Sequence, residues 1–217
     1  MIRIWVPSIE ISPATDMVRS IVITFSSVTI SFFKKASWVV LYRVLALSLL
    51  DRVKKVAYAC KSVRTHEIPL EYFCRLMGYE GVVFGAAQTI DGLVSSIYHT
   101  NVMMHVGSEL AVVCLDSIQV ATEKLRVQEF LEKTGKKMIP ITEKQKFNFA
   151  GNMLEVKSKS GEKITVMSKA ACESLGDVQL NTIKRYTEVI SASIPTIEKL
   201  GGGSVRCMMA ENFLPLV

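Results

Sequence analysis

Two short stretches of the sequence combine residues that could carry out nucleophilic chemistry. In one, His99 stands in the run Tyr-His-Thr-Asn, after a polar stretch over residues 88–96. In the other, the glycines 201–203 precede Cys207, with Arg206 beside the cysteine. Glycines let the backbone approach a ligand closely, and a neighbouring cation favours the reactive thiolate. The pair is therefore a candidate nucleophile and general acid–base, and the alternative is a buried strand thiol with a structural loop histidine.

The remaining cysteines and histidines are typical of structural roles. Four of the five cysteines have apolar neighbours, which predicts small core residues: Cys60, Cys74, Cys114 and Cys172. No Cys-x-x-Cys pair occurs, which excludes a zinc ribbon and a thioredoxin-type site. An odd number of widely spaced thiols indicates reduced cysteines in a cytoplasmic protein. His105 is expected to be structural on a strand, and His66 to form a turn or a helix cap.

Composition limits the class of protein. With 217 residues, 49% of them hydrophobic and 21% charged, the chain suits one globular domain or two small ones. The net charge of +6 is spread along the chain, so we expect no nucleic-acid partner. The apolar stretches 20–33 and 38–50 are interrupted by Ser and Thr or by Arg43. Both fall short of the roughly 18–20 clean apolar residues of a membrane helix, so membrane association is not expected.

From about residue 47 onward, a β-β-α-β unit recurs about every 50 residues, a spacing typical of repeat architectures. The first predicted helix is opened by Pro69 and closed by Gly78, and the third is interrupted at Gly176. The predicted elements are strands 47–51, 55–60 and 81–87 around a helix over 69–77, strands 101–106, 110–115 and 137–141 around a helix over 121–133, and strands 152–158, 162–168 and 194–199 around a helix over 170–191. A strand over 204–214 would begin a fourth unit, and we expect the units to pack on one another.

Seven further stretches resemble motifs of one known protein family: Asp-Arg-Val at 51–53, Ala-Tyr-Ala-Cys at 57–60, Arg-Thr-His at 64–66, Phe-Cys-Arg-Leu-Met-Gly-Tyr at 73–79, Val-Val-Cys-Leu at 112–115, Phe-Ala-Gly-Asn-Met-Leu-Glu at 149–155 and Ile-Pro-Thr-Ile-Glu-Lys at 194–199. With the repeat, the histidine stretch and the glycine–cysteine stretch, they resemble the pentein superfamily of arginine deiminases, dimethylarginine hydrolases and amidinotransferases. The branch that they resemble most is the arginine-deiminase-related or citrulline hydrolase group. The resemblance covers about residues 49–217.

This resemblance implies an α/β fold, a propeller of five ββαβ modules around a central site. About three modules would be present here, with a C-terminal strand of the module that carries the cysteine. It implies that Cys207 attacks the guanidino or ureido carbon of a small substrate and that His99 is the general acid and base. A covalent intermediate would then be released by water or an amine, with no metal and no organic cofactor. The residues expected to shape the substrate pocket are Gly201, Gly202, Gly203, Ser204 and Asn101.

The sequence departs from the family pattern at its N-terminal side. Family members carry an acidic residue, in a motif resembling Leu-Glu-Gly-Thr-Gly-Ser, that orients the histidine. Here residues 41–48 contain neither a carboxylate nor a glycine. We therefore expect an atypical segment over 1–46, unrelated to the family, and an incomplete pentein domain over 47–217. A truncated product, with an unrelated or frame-shifted stretch in place of the first two modules, would explain this pattern.

Two functions stay open at this point. One is a cytoplasmic hydrolase of C–N bonds in citrulline or an arginine derivative, weakened by the loss of its acid. The other is an inactive pentein remnant that only binds a ligand or a partner. Three carboxylates are interpreted as solvated or strand-end groups rather than as the lost acid: Asp116, Glu109 and Glu198. Uncovered sheet edges would favour a homo-oligomer.

Overall fold

The computed structural model describes residues 48–210. Its strands are β1 (Leu49–Asp51), β2 (Val56–Lys61), β3 (Glu80–Gly85), β4 (Ala87–Ile90), β5 (Leu93–Ser96), β6 (Met104–Val106), β7 (Leu110–Val113), β8 (Lys137–Pro140), β9 (Leu154–Lys157), β10 (Lys163–Ser168) and β11 (Glu188–Ala192). Its α-helices are α1 (Glu67–Met77), α2 (Ala121–Lys133), α3 (Glu143–Phe147), α4 (Lys169–Ser174), α5 (Asp177–Lys184) and α6 (Pro195–Gly201). Three short 3-10 helices span Thr100–Val102, Leu115–Ser117 and Val205–Met208.

The three-stranded sheets of the described chain share one topology. Their strand orders are β1-β2-β3, β6-β7-β8 and β11-β10-β9. In each, the first two strands in the chain pair antiparallel, as Leu49 opposite Tyr58 shows in the first sheet. The second and third strands pair parallel, and one or more helices connect them, as parallel pairing requires. The first strands β1, β6 and β9 contact one another in series, so the sheets meet along these strands.

Local signals in the sequence account for the first two long helices. Helix α1 begins at Glu67, two residues before Pro69, because the His66 Nδ1 accepts the backbone N–H of Ile68 and caps the helix. The predicted capping role of His66 is thereby confirmed. Gly78 ends the helix in the left-handed region at φ 67°. Helix α2 has the predicted bounds, Ala121–Lys133.

The face of α2 that packs inward differs in part from the prediction. Leu125, one of the apolar residues that the sequence offers on this helix, is 56% exposed, whereas Val127 and Leu131 are fully buried. Residues 88–96, taken as a polar loop, form the hairpin β4–β5. Asp91 and Gly92 both adopt positive φ at its turn, a conformation that Asp-Gly favours between strands.

The C-terminal third of the described chain corrects three predicted elements. The predicted helix over 170–191 stops at Lys184, and its last part is the strand β11, which pairs parallel with β10. Of residues 194–199, predicted as a strand, Ile194 is the N-cap of helix α6 and the others lie within it. The helix has a proline in its first turn and Gly202 as its left-handed cap. Residues 204–210 form a 3-10 helix and an irregular end instead of a strand. The rest of that predicted strand and the atypical segment 1–46 lie outside the described residues.

Most buried hydrophobic side chains lie in and between the sheets. One hydrophobic cluster runs through all three sheets, and a smaller one lies beneath α1, around Phe73. Three of the four cysteines predicted to be core residues are buried and Cys172 is half-buried, whereas Cys207 is exposed. Within residues 48–210, no helix is long and apolar enough to cross a bilayer. The same range contains no group of three or more His, Cys, Asp or Glu residues placed to hold a metal.

A buried ion pair connects the first two sheets. The Lys136 Nζ lies 2.7 Å from the Asp51 Oδ2, and both side chains are almost fully buried. Lys136 also donates to the backbone carbonyl of Ser108 at 2.8 Å. The other oxygen of Asp51 accepts the N–H groups of Val53 and Lys54, which ends β1 in a tight turn. The charges are thus paired and hydrogen-bonded where two sheets meet.

Candidate active site

Three chain segments converge around Cys207. The first is the 3-10 helix Thr100–Val102, which leads into β6 and carries Asn101. The second is the connection between α3 and β9, which contains Asn152. The third is the 3-10 helix Val205–Met208, in which the Cys207 N–H donates to the Ser204 carbonyl at 3.0 Å.

The Cys207 thiol is exposed and has two amide groups beside it. The Asn152 Nδ2 lies 3.4 Å from the Cys207 Sγ, and the Asn101 Nδ2 lies 3.9 Å from it. Both asparagines are buried, at 3% and 6% exposure. The thiol thus combines access from solvent with a polar, buried floor, an arrangement that a nucleophile requires and a core cysteine lacks.

His99 is placed next to this thiol through Asn101. It is half-buried and caps the 3-10 helix, and its Nδ1 accepts the backbone N–H of Asn101 at 3.4 Å. A neutral imidazole that accepts at Nδ1 carries its proton on Nε2. Asn101 therefore contacts His99 through its backbone and Cys207 through its side chain. The structure brings the two residues paired by the sequence into one neighbourhood.

The three glycines differ in their positions. Gly203 lies next to Cys207, because a Cβ built there would be 3.2 Å from both Cβ and Sγ of Cys207. Gly202, at φ 63°, caps α6, and its carbonyl accepts from the Tyr98 hydroxyl at 3.4 Å. Gly201 is the last residue of α6, and a Cβ there would meet Ile197 at an ordinary 3.7 Å. Of the three, Gly203 is the position at which an added side chain would crowd the thiol.

The carboxylates considered in the sequence are engaged elsewhere. Asp116 pairs with Lys124 at 3.2 Å on the surface, and Glu109 pairs with Lys163. Glu198 lies on α6 rather than at a strand end, and it accepts the hydroxyl of the buried Ser204 at 2.7 Å. Glu198 thus anchors the segment that precedes Cys207.

Sequence reasoning assigned no role to two residues that the structure places at this site. Asn152 belongs to a stretch that carries the family resemblance, but nothing local distinguishes it from a turn asparagine. Arg64 is exposed and holds its guanidinium carbon 5.1 Å from the centre of the Tyr98 ring, beside His99. Its Arg-Thr-His stretch carries part of the family resemblance, but its contact with Tyr98, 34 positions away, cannot be read from the local sequence.

His105 lies beneath the site and is fully buried, which confirms its predicted structural character. Burial, with the positive charge of Arg206 as a further cause, lowers the pKa of His105 from 6.5 to about 3. The imidazole is therefore uncharged near pH 7. Of the two histidines near the thiol, His99 is the one suited to proton transfer.

The best-defined cleft in the described part of the chain is remote from this chemistry. It has a volume of about 640 Å³, lies between α1 and α2, and is lined by charged groups that include Lys61, Glu123 and Arg126. Lys61 and Glu123 are already paired at 2.9 Å, and the Arg126 guanidinium donates to the Gly81 carbonyl. None of the candidate residues lines this cleft. The site is thus defined by its reactive groups and not by the size of a cavity.

Comparison with known proteins identifies one family. The family model for eukaryotic N,N-dimethylarginine dimethylhydrolase matches residues 45–214. No curated protein matches the sequence. Among solved structures, the chain is similar to the substrate-bound N-terminal domain of ArgZ, an arginine dihydrolase from the ornithine-ammonia cycle in cyanobacteria. That match has 16% identity and a TM-score of 0.56 and covers 75% of this chain and 54% of that one.

Two more ArgZ structures give the same result. Apo ArgZ matches at 18% identity with a TM-score of 0.57, over 79% of this chain and 25% of that one. The ArgZ N-terminal domain covalently bound to a reaction intermediate matches at 18% identity with a TM-score of 0.55, over 75% and 53%. These likenesses show a shared mixed α/β fold. The chain spans about half the length of the ArgZ N-terminal domain.

Proposed function

The chain belongs to the eukaryotic N,N-dimethylarginine dimethylhydrolase family, and from this we propose that it hydrolyses a C–N bond of a guanidino or ureido amino acid. Dimethylarginine hydrolases are penteins, so the predicted membership of that superfamily is confirmed. The observation that carries the proposal is the exposed Cys207 thiol, joined to His99 through Asn101. We further propose that the three sheets of ββαβ order are modules of a pentein propeller within the domain 47–217.

In the proposed reaction, Cys207 acts as the nucleophile. Its thiolate attacks the guanidino or ureido carbon, and a C–S bond forms. The C–N bond to the leaving amine then breaks, and the amine takes a proton from His99, which enters this step as imidazolium and becomes neutral. The covalent intermediate seen in the ArgZ structure is a precedent for this step.

Hydrolysis completes the cycle. Water gives a proton to the neutral imidazole of His99, which becomes imidazolium again, and attacks the same carbon. The C–S bond breaks, and the thiolate of Cys207 leaves. The products are the amine and the hydrolysed amino acid, and both residues return to their starting states. The step needs no metal, electron carrier or second substrate besides water.

Arg64 is the proposed contact for the substrate's carboxylate. It is a permanently charged group on an aromatic ring adjacent to His99, and guanidinium groups bind carboxylates with two parallel hydrogen bonds. A substrate with its reacting carbon at Cys207 would then extend along Tyr98. This placement favours an α-amino acid such as dimethylarginine, arginine or citrulline over agmatine, which has no carboxylate.

One observation favours the alternative of an inactive binding protein. The carboxylates Asp116, Glu109 and Glu198 already bind Lys124, Lys163 and Ser204, and residues 41–48 lack the acidic motif of the family. In an unrelated triad, loss of the orienting acid costs about 10⁴ in rate. Such a remnant would still bind the amino acid through Arg64.

Turnover assays distinguish the two functions. We expect the purified protein to release dimethylamine from dimethylarginine, or ammonia from arginine or citrulline, and expect Cys207→Ser to abolish the release. The matched control is Cys172→Ser, a half-buried thiol outside the site, which should retain activity. A folded wild-type protein that turns over none of these substrates, or a fully active Cys207→Ser variant, would refute the hydrolase.

A further inference from the structure

We propose that the carboxamide of Asn152 is a further part of this site and stabilises the thiolate of Cys207. This inference deepens the proposed function, because the group on which Asn152 acts is the proposed nucleophile. Asn152 is 3% exposed and lies 55 positions from Cys207 in the sequence. Its side chain contacts groups from two other chain segments: the Asn101 carbonyl at 3.2 Å, the Cys207 Sγ at 3.4 Å and the Arg206 N–H at 3.1 Å.

These contacts determine which end of the carboxamide points at the sulfur. The backbone N–H of Arg206 can only donate, so it requires the Oδ1 of Asn152 as its acceptor. The carbonyl of Asn101 can only accept, so it requires the Nδ2. Both ends of the amide are thereby assigned by backbone groups, and the Nδ2 lies on the side of the thiol.

A donor in this position distinguishes the two protonation states of Cys207. The thiolate accepts the Nδ2 hydrogen at 3.4 Å, whereas the neutral thiol can donate only over the longer 3.8 Å to the Oδ1. Hydrogen bonds to a charged acceptor are roughly twice as strong as those between neutral groups. Asn101 adds a second amide donor at 3.9 Å. Both donors therefore favour the reactive form.

Arg206, which the sequence suggested for this role, acts differently. Its guanidinium donates to the Met153 carbonyl at 3.3 Å, and its backbone N–H holds the Asn152 amide in place. The side-chain donors placed at the sulfur within the described residues are thus the neutral amides of Asn152 and Asn101.

The test is the rate at which iodoacetamide alkylates Cys207 at pH 7, followed by mass spectrometry of the intact protein and its peptides. Asn152→Asp keeps the shape of the side chain but replaces the donor with a carboxylate oxygen beside the sulfur. We expect at least a tenfold slower alkylation, and a smaller decrease, of about threefold, for Asn152→Ala. Asn181→Asp adds the same charge at an exposed position on α5 and should leave the rate unchanged.

The buried thiols Cys60 and Cys114 report on folding in the same experiment. They stay protected as long as a variant is folded, so alkylation of Cys207 is compared only among variants in which both are unreacted. If Cys60 and Cys114 are alkylated in Asn152→Asp, that variant is unfolded, and the alkylation rate of Cys207 in Asn152→Ala is the test. A Cys207 alkylation rate equal to that of the wild type in folded Asn152→Asp would overturn the inference. If Asn152→Asp unfolds, the same result in folded Asn152→Ala would overturn it.

The inference and the proposed function can fail separately. Slower alkylation in the Asn152 variants of a protein without turnover would support the role of Asn152 and reject the hydrolase. Turnover that depends on Cys207, together with alkylation that is indifferent to Asn152, would reject the inference and retain the hydrolase.

Discussion

Burial decides what each histidine near the site can do. His99 is half-buried and accepts a backbone N–H, which fits the proton transfer proposed for it at Cys207. His105 is fully buried six positions later, and desolvation together with the charge of Arg206 lowers its pKa to about 3. The same side-chain chemistry is therefore available for catalysis at one position and excluded at the other.

The buried His105 should make the protein sensitive to acid. The unfolded chain binds a proton on this residue below its ordinary pKa of 6.5, whereas the folded chain does so only near pH 3. Between these values the unfolded state holds more protons, so the free energy of unfolding falls by about 1.4 kcal/mol per pH unit as the pH decreases. Urea unfolding at pH 7, 5.5 and 4 should show this slope diminished in His105→Gln. His66→Gln, which alters an exposed cap, serves as the control, and a slope equal to that of the wild type in His105→Gln would contradict the prediction.

At the scale of elements, a close contact between two backbones sets the geometry of the site. A Cβ built on Gly151 would lie 2.8 Å from the Val102 carbonyl oxygen and from the Met103 carbonyl carbon. The segment before β9 thus packs directly on the segment that joins the Asn101 helix to β6. This approach is what allows the Asn152 amide to reach the Asn101 carbonyl.

Gly151→Ala should therefore separate the two segments. We expect a loss of about 1–3 kcal/mol in the free energy of unfolding, the range typical of overpacking, because the contacts are with backbone atoms that cannot rotate away. Slower alkylation of Cys207 should accompany this loss, since Asn152 follows Gly151. Gly85→Ala is the matched control, because its nearest neighbour would be a Glu123 side-chain oxygen at an ordinary 3.5 Å. Equal thermal melting temperatures for both variants would argue against the backbone contact.

At the scale of the whole molecule, the sheets are joined in series along their first strands. Hydrophobic side chains form most of this junction, and the Asp51–Lys136 pair is a buried ionic contact within it. Two charges buried together cost desolvation, which their attraction and hydrogen bonds offset only while both are present. Because of this pair, the packing of the first sheet depends on the second sheet being folded.

Removing one charge of this pair should destabilise the entire described domain. We expect Lys136→Met to lower the free energy of unfolding by about 3–5 kcal/mol, because Asp51 is left buried and unpaired. Asp51→Asn keeps the oxygen that accepts from Val53 and Lys54, so the double variant should recover part of this loss. Chemical denaturation of the two single variants and the double variant measures the coupling. Strictly additive losses would show that the two charges do not interact.

The sequence by itself was sufficient for features that depend on near neighbours in the chain. Helix α2 and the pairing of β1 with β2 follow from local periodicity, and the caps at His66 and Gly78 from local hydrogen-bonding and steric preferences. The motifs around His99 and Cys207 also sufficed to identify the pentein superfamily.

Only the tertiary structure decided the features that depend on distant parts of the chain. Residues 188–192 become a strand because β10 offers a parallel partner, which overrides their helical pattern. Asn152 and Cys207, 55 positions apart, meet because Gly151 lets two backbones touch. His99 and His105 acquire opposite chemistry from their different burial. Hydrogen-bond partners and desolvation belong to the packed chain, and local sequence preferences carry no information about which remote groups will meet.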